Sequence, residues 1–317
     1  MSEPIHLKGV DEVPADPAKI GISYSGGGAL LVVELGVARA FVQRQIRPDV
    51  ICGASAGALT AAAHALDPDG GRGIDMAADL LGREVRNSFL KLDLVDFAQR
   101  ALQQRKQLNS IGDNSAIGKL IGDGVAQTFG IPQVTMGMFG KPLADGGKPT
   151  ARLMIVATDD CNGSSYWFED GALLTDALIA SSAIPGVFPW VSHQSADGTQ
   201  MTLVDGGVVD NQPLSNLLEQ GCGTIYACAV GASGPLAAPT NLLQNYMQAI
   251  NLSMHQCTKL EESFVRAKLP PGGKILHLHP ETTTPVNDFD FTPQLVQQVM
   301  NEATDLTLKW LDSNPTQ

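Results

Sequence analysis

Val50-Ile51-Cys52-Gly53-Ala54-Ser55-Ala56-Gly57 is the stretch on which the reading of the chain turns. An apolar, β-prone run, Val50-Ile51-Cys52, leads into an alanine-rich segment, Ala56 to Leu66, with helical character. A serine between small residues at a strand-to-helix turn is the nucleophile-elbow pattern. The turn is too tight for larger neighbours, and it lifts the hydroxyl above the sheet edge at a helix N-terminus. G-x-S-x-G also recurs by chance, so the flanking sequence has to supply the context.

Upstream, Lys19 to Tyr24 reads as a first strand, Ser25-Gly26-Gly27-Gly28 breaks it, and Ala29 to Gln43 has apolar residues at helical spacing. Arg47-Pro48-Asp49 ends that helix before the second strand. Strand, glycine loop, helix, strand, elbow and helix make a βαβ unit, whose crossover sets the two strands parallel. Both strands then end on one edge of the sheet, so the glycine loop and Ser55 face each other across the crevice where open α/β sheets take ligands. Glycines let the backbone come close to a ligand with its N–H groups turned outward. Such donors suit the oxyanion formed when a serine attacks a carbonyl, and one is worth about 10²–10³ in rate. The competing reading is a dinucleotide turn, G-x-G-x-x-G. It ranks lower because Leu31 occupies the third glycine position and the second strand ends in the elbow instead of a ribose-binding acid.

The 317 residues suffice for one large core, and no Pro/Gly/Ser-rich linker divides them. A net charge of -12 argues against nucleic acid and against electrostatic docking on anionic lipid, which both call for a basic footprint. Contact with a membrane surface therefore has to be apolar or mediated by a partner. Five cysteines, Cys52, Cys161, Cys222, Cys228 and Cys257, without a C-x-x-C pair, read as free thiols in a reducing compartment. Residues 1–17 lack the basic and apolar regions of a signal peptide, and no apolar run approaches the ~18 residues of a membrane-spanning helix. A cytoplasmic location is expected, with signal-free secretion left open.

Downstream, residues 74–121 read as mostly helical, a cap-like insertion that either covers the crevice and shapes an acyl pocket or packs on one sheet face. Contact with a lipid interface is expected through this region. Arg152 to Thr158 and Ser164 to Phe168 form a hairpin about Asn162-Gly163, and Thr175 starts a helix that runs through Ala180 to Pro185. Met201 to Val204 is a strand ending in Asp205-Gly206-Gly207, and a helix to Gln220 precedes a buried strand, Thr224 to Val230. The helix Asn241–Lys268, the strand Lys274–His279 and the helix Thr292–Leu311 complete the chain. Strands alternating with helices predict a layered α/β/α fold with a mostly parallel central sheet, and one domain over 1–317. Its core is about 19–230, with a C-terminal extension over 240–312.

A serine hydroxyl needs a base beside it. His6 precedes the fold, and His64 lies about 13 Å along the elbow helix from Ser55. His277 and His279 share one face of a strand and remain possible triad members; as a metal pair they lack a third ligand. His193 and His255 carry no local signature. Asp205 is the better candidate, 150 positions after Ser55, at a strand end and directly before two glycines. A plain Asp-Gly turn is its alternative reading.

Together, these segments resemble the patatin-like phospholipase family. The blocks are Gly26-Gly27-Gly28, Gly53-Ala54-Ser55-Ala56-Gly57, Ala180 to Pro189, and Asp205-Gly206-Gly207 with Asn211 and Pro213, in the family's order. A weaker match, Asp288-Phe289-Asp290-Phe291, lies near the C-terminus. The resemblance implies a Ser–Asp dyad without histidine: Ser55 as nucleophile, Asp205 as base, and the N–H groups of Gly26, Gly27 and Gly28 as oxyanion hole. It also implies hydrolysis of fatty acyl esters, in phospholipids or other lipids, with no calcium or other cofactor. One position departs from the pattern: Leu30 stands where the family's glycine loop carries a basic residue. That loss of charge fits a weak esterase or an apolar, neutral lipid. Other readings are a Ser-His-Asp esterase, an acyltransferase, and a catalytically weak lipid-binding module.

Overall fold

A computed structural model describes residues 15–83, 110, 115–141, 150–231, 238–240, 242–286 and 291–315. Its first half follows the β-α-β reading. Strand β1 (Asp16–Tyr24) leads through a short 3-10 turn into α1 (Leu31–Gln43), then β2 (Val50–Ala54) and α2 (Ala56–Leu66). Next come α3 (Arg72–Arg83) and α4 (Ser115–Phe129). The helical insertion expected over 74–121 therefore lies largely outside the described residues.

Strand β3 (Arg152–Asp159), β4 (Ser164–Trp167), α5 (Leu174–Ser181), β5 (Val191–Gln194) and β6 (Gln200–Val204) follow. The chain continues through α6 (Ser215–Glu219), β7 (Cys222–Cys228), α7 (Leu242–Lys268), β8 (Lys274–Leu278) and α8 (Pro293–Ser313). Thr292 caps α8 by accepting from the Leu295 N–H, ahead of a proline that needs no partner for its missing donor.

The sheet order is β5-β6-β3-β2-β1-β7-β8, with β4 also paired to β3. Strands β3, β2, β1, β7 and β8 run parallel, while β4 and β6 pair antiparallel to β3. Strand β5, unread in the sequence, pairs antiparallel to β6. Side chains alternate across the sheet as its period of two requires. Ile22, Tyr24, Ile51, Tyr226 and Cys228 join α1, α2 and α8 in one core. Val50, Cys52, Ile225 and Ala227 meet Leu214, Leu217 and Val265, from the α6 and α7 side, in a second. Helices thus cover both faces of a mostly parallel sheet, as the alternation predicts.

Candidate active site

The glycines of the elbow are dictated by backbone contact. A Cβ on Gly53 would lie 2.3 Å from the Gly57 carbonyl oxygen, and one on Gly57 would lie 2.3 Å from that of Tyr24. The first turn of α2 is therefore seated on the end of β1, next to the glycine loop. Ser55 sits between these contacts at φ 54, ψ -125. That conformation costs a non-glycine residue on the order of 1–3 kcal/mol and persists only where the surroundings enforce it. Part of the enforcement is a hydrogen bond from the Ser55 N–H to Ser181 Oγ, 2.9 Å, at the end of α5.

Asp205 arrives from the other side of the sheet, at the end of β6. Its N–H donates to the Ala183 carbonyl at 2.9 Å, and its own carbonyl accepts from Thr158 Oγ1 at 2.9 Å. Gly206 tucks beneath it, where a Cβ would lie 2.2 Å from the Val156 carbonyl oxygen. The Ser55 hydroxyl donates to Asp205 Oδ2 at 2.6 Å, and the Gly207 N–H donates to Oδ1 at 2.8 Å. Ser55 is 5% and Asp205 2% exposed. Burial pushes the Asp205 carboxyl up from 3.8 to about 7, against the Ser55 and Gly207 hydrogen bonds, which pull it down.

The glycine loop lies against this pair. A Cβ on Gly26 would be 3.2 Å from Ser55 Cβ and 2.4 Å from Asn211 Oδ1. The Gly26 N–H donates to the Asn211 carbonyl at 2.9 Å, which ties the glycine loop to the segment after Asp205. Gly27 packs on Val230, and Gly28, at φ 57, turns the chain into the helical start of α1. Leu30, at the position expected to be basic in the family, packs against the core.

None of the described histidines is bonded to Ser55. His64 is buried, its Nδ1 2.9 Å from Tyr24 Oη, and burial lowers it to about 4. His193 Nε2 meets Tyr166 Oη at 2.8 Å, and His277 Nε2 lies 3.2 Å from Glu262 on α7. His255 and His279 are exposed, and His6 is outside the described residues. No group of three or more His, Cys, Asp or Glu among the described residues is placed to hold a metal.

One turn along α2 from Ser55 begins an apolar cavity of about 70 Å³, lined by Leu31, Leu59, Ala62, Met76, Leu174 and Leu178 among others. Sequence reasoning did not give Ser181, Thr158 or the Asn211 carbonyl their roles. Ser181 and Asn211 lie inside the quoted blocks, but nothing local says which backbone group each one meets.

A family model described as patatin-like phospholipase matches residues 22–218, well over half of the chain and inclusive of every residue above that borders Ser55 and Asp205. The chain belongs to the patatin-like phospholipase family. Solved structures of similar fold include VipD from Legionella pneumophila, with TM-score 0.50, 18% identity, and 94% of this chain and 68% of that chain covered. The human GIVD cytosolic phospholipase A2 matches with TM-score 0.50, 11% identity, and 96% of this chain and 62% of that chain covered. At these identities the likeness is one of fold, and the chain spans about two thirds of either protein's length. Patatin-like phospholipase membership supports a lipid hydrolase. Among the described residues no helix is long and apolar enough to cross a membrane.

Proposed function

We propose that this chain hydrolyses fatty acyl esters through a covalent acyl-enzyme formed on Ser55, with Asp205 as the base and no histidine in the relay. The observation that carries this reading is the 2.6 Å hydrogen bond from Ser55 Oγ to a buried carboxylate. In acylation Ser55 Oγ attacks the ester carbonyl carbon as its proton passes to Asp205 Oδ2. The tetrahedral intermediate collapses, the C–O bond to the alcohol breaks, and Asp205 returns the proton to the departing alkoxide. A water then attacks the acyl-enzyme, giving its proton to Asp205. The acid is released, and the proton returns to Ser55.

A carboxyl held near 7 is a better base at neutral pH than one at its ordinary value, and it stays half ionised there. Gly27 and Gly28 are the proposed oxyanion donors. Gly26, whose N–H is taken by Asn211, serves instead as the contact that lets the loop approach Ser55. With Leu30 in place of a cation, the site favours esters that carry no negative charge near the scissile bond. The apolar cavity beside α2 is the proposed entry for the acyl chain.

Incubation with a fluorophosphonate probe, followed by peptide mapping, tests the nucleophile. Adduct on the peptide containing Ser55, absent in Ser55→Ala, is the expected result. An unlabelled wild type would turn the reading toward a lipid-binding protein without turnover.

A further inference from the structure

The structure points to a second feature beside the crevice, the N-terminal half of α7. No Asp, Glu, Lys or Arg occurs between Glu219 and Lys259, in a chain that is 17% charged with a net charge of -12. Part of that stretch is the buried strand β7, where burial itself excludes charge. The rest includes α7 up to Thr258, and this helix is mostly solvent-exposed: Tyr246 is 42% and Leu252 49% exposed. An exposed, uncharged helix on an acidic protein is a departure from the ordinary surface, which interleaves both signs of charge.

The position of this half-helix is equally specific. Met254 packs on Gly207, where a Cβ would lie 2.2 Å from its Cε, and Gly207 is the residue that donates to Asp205. Tyr246 Oη donates to the Pro185 carbonyl at 3.2 Å, in the loop that begins at Ala183, the acceptor of the Asp205 N–H. The same loop ends in Trp190, 48% exposed. The C-terminal half is anchored differently. Glu261 Oε1 accepts from the N–H groups of Leu214 and Ser215 and from Ser215 Oγ, at 2.7–2.8 Å, and Val265 is fully buried in the second core. The charges of α7, from Lys259 to Lys268, lie in this anchored half.

We infer that the uncharged stretch of α7 around Tyr246 and Leu252, with Trp190, forms the face by which the protein rests on a lipid surface without net negative charge, such as phosphatidylcholine. The inference rests on the acyl-ester reading for the substrate and names the surface from which that substrate comes. Uncharged polar side chains with a few exposed apolar ones sit at a zwitterionic headgroup layer without desolvating an ion, and tryptophan favours that boundary. An anionic surface would repel so acidic a chain. Contact there brings lipid to the residues that touch Gly207 and Pro185, at the edge of the crevice.

The test compares wild type with Leu252→Glu, Trp190→Ala and Leu260→Glu. Leu260 is 73% exposed, about 12 Å further along the same helix and within the charged half, which makes it a matched control. Three readouts are needed: co-sedimentation with phosphatidylcholine vesicles, release of fatty acid from diacylglycerol carried in those vesicles, and turnover of soluble p-nitrophenyl butyrate. Leu252→Glu and Trp190→Ala are expected to lower vesicle binding and vesicle hydrolysis at least fivefold while leaving p-nitrophenyl butyrate turnover within twofold. Leu260→Glu should match wild type in all three. Vesicle binding unchanged in both variants, or binding confined to phosphatidylglycerol vesicles, would overturn the inference. So would an equal fall in vesicle and soluble-ester turnover with binding intact. A wild type that binds vesicles through Leu252 and Trp190 yet cleaves no ester would uphold this surface and refute the hydrolase reading. A wild type that cleaves p-nitrophenyl butyrate but binds no vesicle would do the reverse.

Discussion

Asp205 is held where an acid is least at ease and most useful. Its folded value, about 7, lies above the ordinary 3.8, so the folded protein holds a proton that the unfolded chain releases. Stability from this group is therefore fully present below about pH 4 and is lost as pH rises through about 7, by up to about 4 kcal/mol. In the proposed mechanism catalysis runs the opposite way, because only the ionised carboxylate can take the Ser55 proton. The wild-type kcat/KM should rise tenfold per pH unit below about 7 and level off above it; a flat profile from pH 5 to 9 would exclude Asp205 as the base. Asp205→Asn should melt higher than wild type at pH 8, and the two curves should converge near pH 4. Ser55 poses the matching backbone problem, with a strained φ held by the Ser181 hydroxyl. Ser181→Ala leaves the Ser55 N–H unpaired in a buried site, a cost of about 1–3 kcal/mol. Denaturant titration should find that loss together with a lower kcat.

At the scale of elements, the elbow works because β1, β2 and α2 meet without side chains between them. Gly53→Ala places a Cβ against the Gly57 backbone, which no rotamer change relieves, so it should lower stability by about 1–3 kcal/mol or prevent folding. This part of the fold was legible because tight backbone contact admits only glycine, and the pattern survives in the sequence as G-x-S-x-G. The hairpin at Asn162-Gly163 was legible for a different reason: Gly163 sits at φ 64 in open space, so the turn's backbone conformation and not a close contact asks for glycine. Strand β5 was not read: its four residues form an edge strand of alternating partial exposure with no apolar run, although Asp197-Gly198, with Gly198 at φ 88, marks the turn that pairs it with β6. The pairing of Ser55 with Asp205 was legible as a spacing of two strand ends. The commitment of the Gly26 N–H to Asn211 was not, since a hydrogen bond between segments 185 positions apart leaves no local trace.

At the scale of the molecule, parallel β1 and β2 bring the glycine loop and Ser55 to one edge of the sheet, antiparallel β6 returns Asp205 to that edge beside the end of β3, and helices on one face leave the apolar cavity beside α2. If that cavity takes the acyl chain, Leu59→Phe should shift p-nitrophenyl ester preference toward shorter chains with little change on the acetate; an unaltered chain-length profile would place the acyl chain elsewhere. The acidity of the chain and the uncharged half of α7 belong to this scale too, because neither has meaning for a single residue.

The most direct measurement is steady-state hydrolysis of p-nitrophenyl butyrate by wild type, Ser55→Ala and Asp205→Asn at pH 8, with matched circular dichroism spectra for all three. Turnover by the wild type, and a loss of at least about 10³-fold in each variant with the fold intact, is the expected result. Activity that survives Asp205→Asn, or falls only with replacement of a histidine, would contradict the Ser55–Asp205 mechanism.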